Sequence, residues 1–249
     1  MIIMIIGTDV RHFEKVSSTN SVAAGLLRET VPAEGSVITA SYQESGRGQQ
    51  GNIWESEPRK NLIMSVIIYP VMVRPADQFV ISRMVSLAVH DLVSLHTTEA
   101  RIKWPNDIYA GNDKIAGILI ENSIMGETLG TSIAGIGLNV NQTVFRSDAP
   151  NPVSLKQITG RDHDLEAITG ELISFLDKRY KMVIRGDVSM LEEEYHALLF
   201  RAGAWHKFSD CEGIFEGMIE RVMPDGMLSV RKRNNVTRQY AFREIDYIL

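Results

Sequence analysis

The chain has 249 residues, of which 44% are hydrophobic and 23% are charged, and its formal net charge is −5. This composition is typical of a globular protein with one large domain, or one domain and a small appendage. The negative charge disfavours a generally basic nucleic-acid-binding surface, and a single cysteine, Cys211, excludes an intrachain disulfide framework.

The first ten residues, Met1 to Val10, are apolar but too short to cross a bilayer, and no basic residue precedes them as in a signal peptide. They are predicted to form a first strand. The protein is therefore expected to be cytoplasmic, without attachment to a membrane. Two further strands are predicted at Gly35–Ile38 and Leu62–Tyr69. Apolar residues at helical spacing from Gln78 to His96 predict an amphipathic helix that faces a sheet.

The middle of the chain alternates between extended and helical patterns. It predicts a short extended segment, two strands and two helices: Arg101–Trp104; Lys114–Glu121 and Thr131–Val140; Leu165–Ile184 and Met190–Leu199. Consecutive strands lie too close together in sequence for crossover helices between them. The predicted fold is therefore α+β, with a mixed, mainly antiparallel sheet backed by helices.

From about Ala204 the chain breaks into short β-like pieces, two of which flank a predicted hairpin turn at Asp225-Gly226. These pieces predict a small C-terminal β-barrel. The predicted domains are accordingly residues 1–203 and residues 204–249.

The segment Gly46–Gly51 has the spacing GxGxxG, but its surroundings do not fit a dinucleotide-binding fold. No helical pattern follows Gly51, and no acidic residue stands about twenty positions later. A P-loop is excluded because Gly-Lys-Ser/Thr is missing, and a kinase loop because neither HRD nor DFG follows. A flexible glycine loop remains, with one cation, Arg47, and an aromatic residue, Trp54, beyond it. Taken alone, such a loop is more typical of a polar surface turn.

Two later segments carry groups suited to binding. Lys103–Asp107 combines a cation, an aromatic ring, a proline turn, an amide and a carboxylate, and this pattern fits a structural turn equally well. Lys114 opens an otherwise apolar strand, where a lysine is costly unless it is paired or binds an anion; the alternative is an edge lysine that reaches solvent. Gly135 and Gly137 precede Asn139, and glycines inside a strand often mark the close approach of a ligand or another backbone.

Ser17–Asn20 precedes a predicted helix. Ser, Thr and Asn are the usual N-cap residues, and a helix N-terminus also offers free N–H groups to a ligand. Both interpretations can hold together.

In this order and spacing, these segments resemble the biotin–protein ligase family. The resemblance runs from Ser18-Thr-Asn through Gln43, the Gly46 loop and the KWPND segment at 103–107 to KIAGILIE at 114–121 and GIGLNVN at 135–141. It covers most of residues 10–145, and the C-terminal β domain is similar to that family's SH3-like appendage. It implies a class II synthetase-like catalytic domain that adenylates biotin with ATP. Biotin would then pass to a lysine of the biotin carboxyl carrier domain of a biotin-dependent carboxylase.

The resemblance also implies site residues. Lys114 and Arg47 would be the catalytic cations, and Asp107 would lie toward Mg²⁺. The biotin-binding residues would be Ser18, Thr19, Asn20, Gln43, Gly46, Arg47, Gly48, Gln49, Trp54, Lys114 and Gly117. The ATP- and adenylate-binding residues would be Trp54, Asn106, Asp107, Lys114 and Asn139.

The catalytic part begins within about ten residues of Met1, which leaves no room ahead of it for the DNA-binding domain of some family members. A ligase that does not bind DNA is therefore expected, and a homodimer is left open. Two other functions compete: a lipoate–protein ligase of the same fold, and a catalytically weak biotin- or nucleotide-binding protein. The WPND segment and Arg47 favour biotin over lipoate, and the presence of Arg47, Asp107 and Lys114 favours an active enzyme.

Gln49 stands where most members of the resembled family have a second arginine in the glycine loop. Glutamine keeps hydrogen bonding but loses the charge, so the adenylate would be held less by ion pairing and more by packing of the loop. We therefore expect Gln49→Arg to slow the release of biotinyl-adenylate by about tenfold, the effect of one hydrogen bond to a charged group. Single-turnover release and hydrolysis assays measure this, and rates equal to those of the parent would show the idea to be wrong.

Overall fold

A computed structural model describes residues 4–146 and 151–248. The strands are β1 Val10–Phe13, β2 Ser36–Ala40, β3 Leu62–Ile68, β4 Ala100–Lys103, β5 Asp107–Ala110, β6 Asp113–Met125, β7 Thr128–Leu138, β8 His206–Asp210, β9 Gly213–Val222, β10 Leu228–Lys232, β11 Thr237–Tyr240 and β12 Asp246–Tyr247. The helices are α1 Thr19–Glu29, α2 Phe79–Ser94, α3 Leu155–Thr159, α4 Leu165–Arg185 and α5 Val188–Ala197. None of the helices in these two ranges is both long enough and apolar enough to cross a bilayer.

The first seven strands form one sheet in the order β1-β2-β3-β7-β6-β5-β4. β1 is parallel to β2, and the other neighbouring pairs are antiparallel. The sheet is therefore mixed and mainly antiparallel, which confirms the predicted α+β class. A short turn at Gly126-Glu127 joins β6 and β7 as a hairpin.

Side chains alternate between the two faces of this sheet. On β3, Met64 and Val66 belong to the main hydrophobic core, whereas Ile67 packs in a smaller cluster with Ala23 of α1. Ser65 is on the same face as Ile67 and is fully buried. One face therefore meets α2, and the opposite face carries α1 together with the polar residues described below.

The helix α2 lies between the sheet and two other helices. It contacts β4, β5 and β6 on one side and α4 and α5 on the other. Most of its residues are buried, including Arg83 and His90. The prediction of a helix is confirmed, but its surroundings differ from the predicted amphipathic arrangement because α4 and α5 cover the face that was expected to meet solvent.

The predicted first strand is wrong over residues 4–9, and residues 1–3 lie outside the described residues. The first strand begins only at Val10. The backbone N–H groups of Ile5 and Ile6 donate to the carboxylate of Asp177 on α4, at 2.7 and 3.1 Å. This segment is held by a helix side chain instead of a neighbouring strand, and its sequence gives no sign of that distant partner.

The sequence patterns did not predict β5, β8, β12 or α3. β5 begins at Asp107, inside the segment interpreted as a turn, and its four residues are too few to show clear alternation. The tertiary structure stabilises it by pairing with β4 and β6.

The C-terminal strands form a second, antiparallel sheet in the order β11-β10-β9-β8-β12. The turn predicted at Asp225-Gly226 joins β9 and β10. The end strands β11 and β12 are not paired with each other among the described residues, so the sheet is not closed into the barrel that was predicted. The division at residues 203 and 204 stays a prediction.

The β9–β10 turn is held against the larger part of the fold by polar contacts with Trp104, which follows β4, and with residues of α2 and α5. The indole N–H of Trp104 donates to the carbonyl of Gly226 at 2.9 Å, and the guanidinium of Arg83 donates to the carbonyl of Val222 at 2.7 Å. The N–H of Val222 in turn donates to Nε2 of His196 at 2.9 Å. Because Trp104 belongs to the KWPND segment, the second sheet is coupled directly to that segment.

Replacement of Gly226 by alanine tests this junction. Gly226 has φ +97°, and an added Cβ would lie 2.8 Å from the Phe79 ring. Gly203 is the matched control, because its φ is +73° but nothing lies within 4 Å of an added Cβ. We expect Gly203→Ala to lower the free energy of unfolding by about 1 kcal/mol from backbone strain.

Gly226→Ala should lower it by a further 1 kcal/mol or so, because the Phe79 ring must also move. Urea denaturation measures both changes. Equal losses in the two variants would show that the Phe79 contact does not limit the packing of the turn.

Candidate active site

A cavity of about 540 Å³ crosses the face of the large sheet that carries α1. Its walls come from the start of α1, the glycine loop, the strands β4 to β7 and the end of the second sheet. Twelve of the predicted site residues line it: Ser18, Thr19, Asn20, Gln43, Arg47, Gly48, Gln49, Trp54, Asn106, Asp107, Lys114 and Gly117. Gly46 and Asn139 are not among its lining residues.

One end of the cavity is a polar cradle, formed by Ser18, Thr19, Asn20, Gln43 and Ser65. All five residues are at least nine-tenths buried. The backbone N–H of Thr19 donates to Oε1 of Gln43 at 2.8 Å, so Gln43 caps α1 in place of Ser18. The hydroxyl of Ser18 makes no hydrogen bond within the described chain, which leaves it available to a ligand.

The other cradle residues hold one another in place. Oγ of Ser65 lies 2.7 Å from Oγ1 of Thr19 and 2.6 Å from Oδ1 of Asn20. The amide nitrogen of Asn20 donates to the carboxylate of Glu121 at 2.7 Å. Buried polar groups that satisfy each other in this way become rigid, so the cradle offers fixed donors and acceptors to a neutral polar ligand.

The glycine loop is tied to the cradle through Glu121. The guanidinium of Arg47 donates to the same carboxylate oxygen of Glu121 at 2.9 Å, and both side chains are about 40% exposed, at 43% and 39%. An ion pair this exposed contributes little to stability. Arg47 can therefore exchange Glu121 for an anionic ligand at small energetic cost.

The loop itself is a short hairpin. Arg47 forms a bridge with Ile53, and the N–H of Gly48 donates to the carbonyl of Asn52 at 2.7 Å. The N–H of Trp54 donates to the carbonyl of Gly46 at 2.8 Å. An added Cβ on Gly46 would lie 2.4 Å from the carbonyl oxygen of Trp54, so Gly46 permits a close backbone approach and does not contact the cavity.

The indole of Trp54 lies on two glycines of the sheet. Gly117 of β6 and Gly137 of β7 are directly paired. An added Cβ would lie 2.9 Å from the indole at Gly117 and 2.3 Å from it at Gly137. Glycines inside the strand predicted the close approach of a ligand or another backbone. The group that approaches is instead the indole of Trp54. The indole N–H has no hydrogen-bond partner within the described chain.

A third glycine serves the cradle. An added Cβ on Gly135 would lie 2.3 Å from Oδ1 of Asn20. Gly135 is on the same face of β7 as Gly137, because residues two positions apart in a strand point to the same side. We call Gly117, Gly135 and Gly137 the glycine floor.

Lys114 lies beyond the indole. Its ammonium is 2.7 Å from Oδ1 of Asp107, and 5.9 Å from the centre of the Trp54 ring. The two paired side chains are 21% and 15% exposed, so water screens their charges less than at the surface. This arrangement provides a positive charge that is fixed in position at the middle of the cavity.

Lys103 stands at the far end. Its ammonium lies 3.2 Å from the hydroxyl of Tyr109, 4.8 Å from the Tyr109 ring and 5.0 Å from the ring of Tyr247 in the second sheet. Burial lowers the pKa of Lys103 below its usual value, and nearby Asp107 partly offsets that shift. Burial also raises the pKa of Tyr109, so its phenol stays neutral.

Two predicted amides serve the protein backbone. The amide nitrogen of Asn106 donates to the carbonyl of Ile118 at 2.9 Å, and the N–H of Ile118 donates back to the carbonyl of Asn106 at 2.9 Å. The buried amide nitrogen of Asn139 donates to the carbonyl of Val153 at 3.0 Å. Asn106 lines the cavity, whereas Asn139 is buried and lies behind the wall.

Sequence reasoning missed several lining or supporting residues. Ser65 is a hydroxyl inside an apolar strand, and Glu121 ends the KIAGILIE segment, so both gave a signal that could have been followed. The second sheet contributes Phe242, Arg243, Ile245, Asp246 and Tyr247. No local sequence pattern identifies these residues as part of the cavity, because their position depends on how the second sheet packs against the first.

No group of three or more His, Cys, Asp or Glu side chains in the described residues is arranged to hold a metal ion. Asp107 and Asp246 are the two carboxylates among the residues that line the cavity, and Asp107 is the one paired with Lys114. A metal ion at this position would need most of its ligands from a bound molecule.

Comparisons with known proteins agree with this geometry. The family model described as "Biotin/lipoate A/B protein ligase family" matches residues 12–139. The "Bifunctional ligase/repressor BirA" of Bacillus subtilis is 25% identical over 243 residues, which are 95% of this chain and 74% of that protein. The "Biotin--[acetyl-CoA-carboxylase] ligase" of Mycobacterium tuberculosis is 32% identical over 180 residues, or 70% of this chain and 65% of that protein.

Among solved structures, the biotin protein ligase from Aquifex aeolicus in complex with biotin and ATP superposes with a TM-score of 0.78. It is 22% identical, and the match covers 96% of this chain and 98% of the other. At this level of identity the likeness shows a shared fold, including the second sheet.

Replacing Gly137 with alanine tests the packing of Trp54. The new methyl group would overlap the indole and push it away from the sheet. The emission of Trp54 should then shift to longer wavelength, and acrylamide should quench it more strongly. Subtracting the spectrum of Trp54→Phe, in the parent and in the variant background, isolates this signal from Trp104 and Trp205.

Gly170→Ala is the control, because nothing lies within 4 Å of an added Cβ at that helical position. It should leave the emission unchanged and stabilise the protein by up to about 1 kcal/mol. An unaltered Trp54 signal in Gly137→Ala would contradict the packing described here.

Proposed function

The chain belongs to the biotin/lipoate A/B protein ligase family, and we propose that it joins biotin to a lysine of a carrier protein in two steps. The carboxylate of biotin first attacks the α-phosphate of ATP, which gives biotinyl-5'-AMP and pyrophosphate. The lysine amine of a biotin carboxyl carrier domain, part of a biotin-dependent carboxylase, then attacks this anhydride and AMP leaves. Relatives named as biotin ligases at 30 to 32% identity support biotin, not lipoate, as the substrate.

The position of Lys114 carries the proposal. Carboxylate and phosphate are both anions, so their approach is opposed by charge repulsion that a fixed cation must offset. Lys114 lines the middle of the cavity, between the cradle and the second sheet, and Asp107 holds its ammonium in place at 2.7 Å. We assign to Lys114 the bridge between the two reacting groups, with Arg47 as the second cation.

The cradle is the proposed site for the ureido ring of biotin. This ring is neutral and carries both donors and an acceptor, so it needs directional partners in a largely dry slot. Ser18 offers a hydroxyl without a protein partner, while Thr19 and Gln43 are held in place by their mutual hydrogen bonds. Trp54 covers Gly117 and Gly137 of the glycine floor, so the aliphatic chain of biotin would pass along its indole.

The glycine loop protects the intermediate. Biotinyl-adenylate is a mixed anhydride that water hydrolyses, so it must be covered until the carrier arrives. Within the loop from Gly46 to Trp54, the guanidinium of Arg47 is held by an exposed ion pair with Glu121. On binding, Arg47 would turn from Glu121 toward the phosphate and close the loop over the adenylate.

Asp107 is the proposed ligand of a Mg²⁺ ion that arrives with ATP. Proteins usually hold Mg²⁺ through one or two carboxylates, with phosphates and waters as the other ligands. The carboxylate of Asp107, beside the assigned phosphate position, fits that donor set. When bound, the ion would neutralise part of the phosphate charge. Adenine contacts by Asn106 and Asn139 are likewise proposals, and Asn139 would have to be reached through a change in the cavity wall.

Other expectations stay predictions: cytoplasmic location, lack of DNA binding and the homodimer that the sequence leaves open.

The second step needs no covalent enzyme intermediate, because the adenylate is already activated. The enzyme therefore needs only to position the adenylate for attack by the carrier lysine and to keep water away from it.

The test is Lys114→Ala in biotin-dependent exchange of pyrophosphate into ATP. Exchange should fall by about a hundredfold or more, the usual effect of losing a charge-stabilising group at a reacting centre. Biotin binding measured by calorimetry should weaken much less than exchange, because the cradle that holds the ureido ring is intact while only the contact to the carboxylate is lost. Lys178→Ala, at an exposed lysine of α4, should behave as the parent does.

Normal exchange by Lys114→Ala would refute the assigned role. The same assay with lipoate in competition with biotin decides between the two ligase activities. A parent chain that binds biotin but neither exchanges pyrophosphate nor labels a carrier lysine would be a binding protein, not an enzyme.

A further inference from the structure

Lys103 differs from Arg47 and Lys114 in its ion pairing. Arg47 pairs with Glu121 and Lys114 pairs with Asp107. Lys103 has no ion pair with a carboxylate anywhere in residues 4–146 and 151–248; its ammonium contacts the hydroxyl and ring of Tyr109 and the ring of Tyr247. A half-buried ammonium that faces a cavity without a counter-ion is stabilised when a ligand brings an anion to it.

The order of the strands gives the position of Lys103 relative to the reaction. The cradle lies at β3 and β7, because Ser65 belongs to β3 and Asn20 rests on Gly135 of β7. Trp54 covers β7 and β6, Lys114 belongs to β6, and Lys103 ends β4. The sheet order β3-β7-β6-β5-β4 therefore places Lys103 two strands beyond Lys114, or roughly 10 Å at the usual strand spacing.

The geometry of the proposed adenylation step determines which part of ATP lies on the Lys103 side of the cavity. In phosphoryl-type transfer the attacking and leaving oxygens are roughly in line through the phosphorus atom. The proposed attack comes from the cradle side, at Lys114. The leaving group therefore departs toward β5 and β4, while the adenosine, bound to a different oxygen of the same phosphate, lies off this line.

We propose that Lys103 binds the pyrophosphate portion of ATP and receives the leaving group of the adenylation step. A bond forms between the biotin carboxylate oxygen and the α-phosphorus, and the bond from that phosphorus to the oxygen bridging to the β-phosphate breaks. The electron pair of the broken bond leaves with pyrophosphate, whose added negative charge the ammonium of Lys103 offsets. This inference rests on the proposed function.

Two features of the surroundings support this role. The rings of Tyr109 and Tyr247 contact the ammonium without neutralising its charge, and the carboxylates of Asp107 and Asp246 act on it only from beyond ion-pair distance. Tyr247 belongs to the second sheet, so the docking of that sheet completes this end of the cavity. Burial lowers the pKa of Lys103 by more than these two carboxylates raise it, so a bound anion would stabilise the charged form.

The test separates the two half-reactions, because only the first involves pyrophosphate. In Lys103→Met, the KM for pyrophosphate in the formation of ATP from supplied biotinyl-5'-AMP should rise by about tenfold or more. Transfer of biotin from supplied biotinyl-5'-AMP to a carrier lysine should keep its rate within about twofold. Lys103→Arg, which retains the charge, should recover most of the pyrophosphate affinity.

Arg101→Met is the matched control. Arg101 lies on the same strand and the same face as Lys103, but it is exposed and does not line the cavity. Its loss should leave the KM for pyrophosphate unchanged, which excludes a general effect of removing one positive charge. Circular dichroism and biotin binding verify that each variant is folded.

An unchanged KM for pyrophosphate in Lys103→Met would overturn the inference. So would an equal loss in both half-reactions, since Lys103 would then act on the adenylate or on the fold. A parent chain that performs neither half-reaction refutes the proposed function itself, and the leaving-group site falls with it. The two failures are distinguishable because the Lys103 comparison is made within an active parent.

Discussion

Three neighbouring positions on the large sheet carry no side chain, and the rest of the site depends on that gap. At Gly117 and Gly137 a methyl group would overlap the indole of Trp54, and at Gly135 it would overlap the amide of Asn20. Packing in a protein interior tolerates little overlap. The indole can lie flat on the strands and Asn20 can reach Ser65 only because β6 and β7 are bare at these places. The cradle and the wall of the cavity therefore depend on the absence of a Cβ atom at these three glycines.

Charge is distributed along the cavity in a graded way. Arg47 is in an exposed pair with Glu121 and is easily released, Lys114 is in a tighter pair with Asp107, and Lys103 rests on aromatic rings. These three environments suit three tasks in the proposed reaction. A cation that must move with a loop needs a weak partner, one at the reacting centre needs a fixed position, and one that receives a leaving anion is best left without a counter-ion.

The second sheet contributes to the site as well as to the fold. Its β9–β10 turn accepts a hydrogen bond from Trp104, the residue next to Lys103. Its last strand supplies Tyr247, whose ring contacts the Lys103 ammonium. Arg83, almost wholly buried in α2, donates to the same turn. The segment Lys103–Asp107 is therefore held from both sheets, which fixes the relative positions of the groups assigned to pyrophosphate, Mg²⁺ and the adenylate.

The amino-acid sequence was enough to predict the α+β class, the long strands and helices, and most of the residues at the cavity, from Ser18 to Gly117. The fold class and the elements follow from local patterns such as alternation, helical spacing and turn residues, whereas the site residues follow from the resemblance of the short motifs to the biotin–protein ligase family. Only the tertiary structure revealed that Gln43 caps α1, that Ile5 and Ile6 bond to Asp177, and that Asn139 lies behind the wall. Only the tertiary structure brought Tyr247 to Lys103. Each of these contacts joins residues far apart in the chain, whose meeting depends on strand order and sheet docking, and no local pattern of side chains encodes that order.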